Sequence, residues 1–163
     1  MSTLTAVAAD KVPDTAADDL AGLSGLEQLQ RIFHDPKVPP AGLGHTLGFD
    51  HVEIDEGRVV FGATPDDRVY NPIGTVHGGF AAALLDSATG CAVHSRLKAG
   101  QGYTTLELKV AYHRPLTRST GPVRAEGVVT QLGRRAAFAE AKLTDARGRL
   151  YASATSTLLV FDR

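Results

Sequence analysis

An α+β fold, with one antiparallel sheet wrapped around a single long helix, is predicted by three features of this sequence. Residues 78–93 are apolar or small throughout except for one acid, Asp86, and they lie within a helical stretch over residues 76–96. A helix that is apolar nearly all round is a buried helix. Four extended segments follow it, joined mostly by short turns, and short turns join antiparallel strands. Only a curved sheet covers a helix of this kind.

The elements follow in order. Residues 1–22 are rich in Ala, Asp and Thr and read as a poorly ordered tail. They lack the basic start and apolar core of a signal peptide, and Asp10, Asp14, Asp18 and Asp19 argue against a transit peptide. Residues 23–163 read as one domain, an ordinary size for this length. Its first element is a helix over 23–33, with Leu26, Leu29, Ile32 and Phe33 on one face and prolines at 36, 39 and 40 beyond it. Extended segments over 46–54 and 58–64 flank Asp55-Glu56-Gly57, a hairpin turn. A polar loop over 65–73 leads into the long helix, which ends in a basic, glycine-rich stretch, Lys98-Ala99-Gly100-Gln101-Gly102. Residues 104–113 alternate, placing Leu106, Leu108, Val110 and Tyr112 opposite Thr105, Glu107, Lys109 and Ala111. Strands over 122–132, 134–144 and 150–161 complete the sheet, with turns at Gly133 and Asp145-Ala146-Arg147-Gly148. One such sheet leaves open edges, so pairing with a second subunit is expected.

Composition narrows the function. The formal net charge is -1, which supplies no general field for nucleic acid. Cys91 is the only cysteine, so no intramolecular disulfide forms, and a reducing cytoplasm is the expected compartment. No apolar run approaches the ~20 residues of a membrane span. The six histidines include no HExxH or close ligand pair, so no metal is expected.

Asp86 is the most informative residue. A carboxylate in an apolar helix costs free energy unless it is paired, hydrogen-bonded or neutralised, and perturbed groups of this kind cluster at functional sites. Nine residues earlier, His77 precedes Gly78-Gly79, the composition of a backbone anion site at a helix start. Taken singly, each feature has a plain structural reading: Asp86 as a satisfied core carboxylate, His77 as a cap, Asn71-Pro72 as a turn, Gly78-Gly79 as packing. Their joint spacing points to chemistry. The span from His77 to Asp86 is about 13 Å of helix, so one chain does not easily bring both ends to one carbonyl.

The pattern Asn71-x5-His77-Gly78-Gly79-x6-Asp86 resembles the hot-dog-fold acyl-CoA thioesterases, in the branch related to the phenylacetate-degradation thioesterase. The resemblance covers about residues 40–161. It implies hydrolysis of an acyl-CoA thioester to a free acid and CoA, with no cofactor. The Gly78 N–H would be the oxyanion donor. Asp86, from the other subunit, would be the general base or the nucleophile. Asn71 would orient water or the thioester oxygen, and His77 would order the loop. A homodimer is then required, and family members are often homotetramers. Relatives often carry Ser or Thr four residues after the carboxylate, where this chain has Gly90.

Eight basic residues lie between Arg96 and Arg135, opposed only by Glu107 and Glu126. Such a zone suits a ligand with phosphates. The family holds its nucleotide near the turn between the later strands, which favours Arg134 and Arg135 for CoA, followed by Arg114 and Lys98. The acyl pocket is expected at the Asn71 loop, the helix start near Phe80 and the facing subunit. Two other activities fit less well. A non-catalytic acyl-CoA binder on this fold would need the same pocket without turnover. A hydratase would need Asn and His after the acid, and the helix offers only His94.

Overall fold

The computed structural model describes residue 20 and residues 22–163. The expected tail over 1–22 therefore falls outside the described residues except at 20 and 22. The elements are α1 (Gly25–His34), α2 (Gly42–Leu47), β1 (Phe49–Asp55), β2 (Arg58–Ala63), α3 (Gly78–His94), β3 (Gln101–Tyr112), β4 (Val123–Leu132), β5 (Ala136–Asp145) and β6 (Leu150–Asp162). The six strands form one antiparallel sheet in the order β1-β2-β4-β5-β6-β3. It curls around α3, as the sequence predicts.

Helix α1 begins with a reciprocal cap. Ser24 Oγ accepts from the Glu27 N–H, and Glu27 Oε2 accepts from the Ser24 N–H at 2.8 Å. Its start crosses the end of α3. The Gly25 N–H donates to Leu97 O at 2.9 Å, and Gln28 Oε1 lies 3.1 Å from His94 Nε2 in a buried polar pair. Of its apolar face, Leu29 enters the core, while Ile32 and Phe33 stay partly exposed.

Two segments differ from the sequence prediction. Residues 46 and 47 belong to a short helix, α2, rather than to a strand. Gly48 ends it with φ 73° and donates its N–H to the Gly44 and His45 carbonyls. The second difference is in β3. The register with β6 slips between Thr105 and Glu107, leaving Leu106 as an extra, exposed residue. A bulge of this kind reverses which residues face inward. Thr105 and Leu108 therefore both turn toward α3, although simple alternation sets them on opposite faces.

The long helix is two residues shorter at each end than the sequence suggests, being capped by His77 and Ser95. One side of it carries Ala81, Leu84, Leu85, Ala88, Ala92 and Val93, all buried against the sheet. Full burial of each leucine is worth about 1.5–3 kcal/mol. The opposite side is not enclosed: Ala82, Ala83, Asp86, Ser87 and Cys91 remain half-buried. The sheet wraps the helix on one side only, and β3 runs along the margin of the uncovered stripe.

Small residues set the distance between helix and sheet. A Cβ on Gly127 of β4 would lie 2.3 Å from Ala88 O and 2.8 Å from Thr89 N. Both are backbone atoms and neither can swing away. Gly127→Ala is expected to destabilise the fold by at least about 1–3 kcal/mol, read as a lower urea midpoint with an unchanged m-value. No described helix is long and apolar enough to cross a membrane.

Candidate active site

The loop before α3 is closed by its own hydrogen bonds. The Asn71 N–H donates to Thr75 O at 2.7 Å, and the Gly74 N–H returns to Asn71 O at 3.1 Å, with Gly74 at φ 87°. The Asn71 side-chain amide donates to Thr75 Oγ1 and Val76 O, each at 3.4 Å. These bonds turn the amide's donor end into the loop. The His77 N–H donates to Val69 O at 2.8 Å and the Val76 N–H to Leu116 O at 3.0 Å, which delivers the chain to the helix start.

His77 is the N-cap of α3. Its Nδ1 accepts from the Gly79 N–H at 2.8 Å, and its carbonyl accepts from the Phe80 N–H at 3.0 Å. Two of the first-turn donors are thereby satisfied. The Gly78 N–H makes no hydrogen bond to a described residue and remains free at the positive end of the helix dipole. Tyr112 covers this glycine from β3, donating its hydroxyl to Gly78 O at 2.9 Å. A cleft of about 250 Å³ opens here, lined by His77, Gly78, Tyr112, Arg114, Leu116 and Tyr151 among others. His77→Ala is expected to cost about 0.5–2 kcal/mol of stability by losing the cap. Asparagine, a good N-cap, should restore most of it, as thermal unfolding would register.

Asp86 lies two turns further along α3, about 12 Å from Gly78. Its Oδ1 accepts from Thr105 Oγ1 at 3.2 Å, across from the bulged part of β3. No basic side chain pairs with it among the described residues, and its second oxygen has no partner there. Asp86 is thus oriented on one side and available on the other. That is unlike a carboxylate neutralised for structure. Cys91 and Tyr103 are its neighbours. Burial, reinforced by the Asp86 charge, pushes the Cys91 thiol up to about 12. At neutral pH this cysteine is an uncharged thiol and a poor nucleophile.

The structure separates two ends of one helix: Asn71, His77 and Gly78 together at the start, Asp86 alone further on. Phe80, which marks the helix start expected to border the acyl pocket, has its own side chain in the core, with its ring 6.3 Å from that of Phe49. It sits on the sheet-facing side of α3, which spacing from Gly78 alone does not reveal. Thr105, Tyr103 and Tyr112 join the site without a warning in the sequence, because the bulge that turns Thr105 inward leaves no local signal.

The basic zone is also divided. Arg124 is held by Glu53 through two contacts of 2.7 Å, and Arg118 is paired with Asp67. Lys98, Arg134 and Arg135 are exposed and form no ion pair with described residues. They share one end of the sheet, where the Val160 N–H donates to Arg135 O and the Arg163 N–H to Gly100 O. Arg114 stands at the other end of β3, roughly 35 Å away. There its guanidinium donates to Leu150 O at 2.6 Å beside the Gly78 cleft. The four expected CoA residues therefore do not form one patch in a protomer, since β3 runs the full length between them. Among the described residues, no group of three His, Cys, Asp or Glu is placed to hold a metal ion.

Residues 73–152 match the family model described as the thioesterase superfamily. The chain is 32% identical over 103 residues to the proofreading thioesterase EntH of Klebsiella pneumoniae, covering 63% of this chain and 74% of that protein. It is 24% identical over 119 residues to the 1,4-dihydroxy-2-naphthoyl-CoA hydrolase of Listeria monocytogenes, covering 73% and 95%. Among solved structures, a mutant of the phenylacetic acid degradation protein PaaI from Thermus thermophilus superposes with a TM-score of 0.64 and 31% identity, covering 71% of this chain and 96% of that one.

Proposed function

The chain belongs to the thioesterase superfamily and has its hot-dog fold, and from that premise we propose that it hydrolyses an acyl-CoA thioester at composite sites shared between two protomers. The observation that carries this reading is the division of labour along α3. A free Gly78 N–H stands at the helix start, and a half-free Asp86 stands about 12 Å away on the uncovered stripe. Neither completes a site alone.

The open edge of β3 offers the complement. Antiparallel pairing with a second copy of β3 would carry the Tyr103–Thr105 end of one strand toward the Val110–Tyr112 end of the other. The first end attends Asp86 and the second attends Gly78. Pairing would also cover the exposed Leu106 and Tyr112.

In the reaction, the thioester carbonyl oxygen faces the Gly78 N–H. Asp86 of the facing protomer takes a proton from water through its unpartnered oxygen, while Thr105 holds the other. The water oxygen attacks the carbonyl carbon, and negative charge builds where the helix N-terminus stabilises it. The C–S bond breaks and CoA leaves as thiolate, which collects the proton. Asp86 is assigned as base because its helix neighbours one turn away on the uncovered stripe, Ala82 and Ala83, are small and leave room for water. Single turnover in ¹⁸O-water with hydroxylamine present tests this: label in the product acid alone, with no acyl group trapped from Asp86, supports the base, while label in the Asp86 carboxylate or a trapped acyl group means that Asp86 attacks directly. Lys98, Arg134 and Arg135, which form no ion pair with described residues, would take the CoA phosphates, and Arg114 the region nearer the Gly78 cleft. Assembly beyond the dimer, to a tetramer, would use the outer face of the sheet or the helices.

A panel of acyl-CoAs assayed with a thiol-reactive dye tests the activity. CoA release by wild type and not by Asp86→Ala supports the reading. Tight acyl-CoA binding without release would make the protein a binder on the same fold.

A further inference from the structure

Gly90 follows Asp86 by one helical turn of α3 and is itself buried. A Cβ at Gly90 would lie 2.9 Å from Tyr103 Oη and 3.1 Å from the ring carbon Cε2. The glycine is therefore what lets the phenol lie down on the helix at this height. The ring is further fixed by an edge-on contact with His94, centroids 5.6 Å apart. Its hydroxyl makes no hydrogen bond to a described residue, although buried tyrosines usually find a partner.

The position of that hydroxyl relative to Asp86 follows from helix geometry. Cβ positions at i and i+4 stand about 5–6 Å apart, and the phenol oxygen lies 2.9 Å from where the second would stand. The Asp86 carboxylate and the phenol hydroxyl thus stand one turn apart on α3, where a single water can bridge two polar groups. Asp86 also has one oxygen without a partner among the described residues, while Thr105 holds the other. The electrostatics agree: burial, Cys91 and the Asp86 charge all raise the Tyr103 phenol above its ordinary value, so it stays protonated and neutral at working pH.

We infer that Tyr103 is a positioning residue of the hydrolytic site: its oxygen accepts one O–H of the attacking water while Asp86 accepts the other. With both hydrogens held, the water's lone pair is left to point at the thioester carbon. The same side chain supplies, from the strand, a hydroxyl that Gly90 does not supply from the helix. The inference rests on Asp86 acting as base.

Tyr103→Phe removes only the oxygen and keeps the ring. It is expected to lower kcat by up to about 10²-fold with KM and thermal stability unchanged. A paired substitution separates the hydroxyl from the packing. Tyr103→Ala with Gly90→Ser returns a hydroxyl to the same space from the helix, and should recover kcat well above Tyr103→Ala alone. Tyr103→Ala with Gly90→Ala refills the space without oxygen and should not. Full kcat in Tyr103→Phe would overturn the inference, as would equal recovery by the serine and alanine pairs. Asp86→Asn is assayed beside them. If it is inactive while Tyr103→Phe is fully active, Asp86 keeps its role and only the tyrosine loses its own. If Asp86→Asn is itself fully active, the assignment of the base falls first.

Discussion

Asparagine at position 86 is expected to lower kcat by about 10²–10⁴-fold without loss of the fold. The substitution keeps the shape of the side chain and its capacity to accept from Thr105. It removes the charge and the ability to take a proton. Because no basic group pairs with Asp86 among the described residues, its removal strands no buried cation. Thermal stability should hold or rise, as is common when a functional charge is removed. A fall in activity matched by a fall in melting temperature would instead mark Asp86 as structural. Steady-state kinetics and a thermal scan on the same preparation separate the two outcomes.

The second large effect is expected from Gly78→Pro, which deletes the proposed oxyanion donor at the backbone. Few helices permit this test. Gly78 is the first residue of α3, the position where proline is best tolerated. His77 before it has φ -63° and ψ 134°, a conformation suited to the residue preceding proline. Losing one donor of this kind costs about 10²–10³-fold in kcat. Gly78→Ala is the control, because it keeps the N–H and adds a Cβ 3.1 Å from Tyr112 Oη. A proline variant no slower than the alanine variant would remove Gly78 from the mechanism. The two inactive variants also test the shared site. A mixed dimer of Asp86→Asn and Gly78→Pro protomers retains one site with both groups intact. Random mixing should then return about a quarter of wild-type turnover, given a two-fold symmetric dimer. Sites confined to one protomer would give none.

The element order, the antiparallel sheet and the central helix are legible in hydrophobic patterning and turn residues. The motif from Asn71 to Asp86 is local, so its spacing survives in the structure. What is not legible depends on tertiary detail. The slip at Leu106 is a single extra residue in a strand of otherwise regular alternation, and it alone turns Thr105 toward Asp86. The enclosure of α3 is overestimated from sequence because small residues such as Ala82 and Ala83 suit a half-covered face as well as a buried one. The division of the basic zone reflects the length of β3, which separates Arg114 from Lys98 however close they stand in sequence. Arg124 falls within the basic zone by position, yet its partner, Glu53, lies 71 residues away.

The strand order has a consequence for the making of this protein. β3 is synthesised third among the strands, yet its one partner in the protomer is β6, the last. Tyr103 pairs with Val160 and Tyr112 with Ala152, so closure waits on contacts some 40 to 60 residues apart in the chain. Long-range pairings of this sort form late. While a nascent chain lacks β6, nothing in the sheet holds Thr105 against Asp86 or Tyr112 against Gly78. The contacts at the two ends of α3 and the outer edge of β3 therefore take shape in the same step. In a partly made chain, neither the Thr105–Asp86 contact nor the Tyr112–Gly78 contact is held by a paired β3.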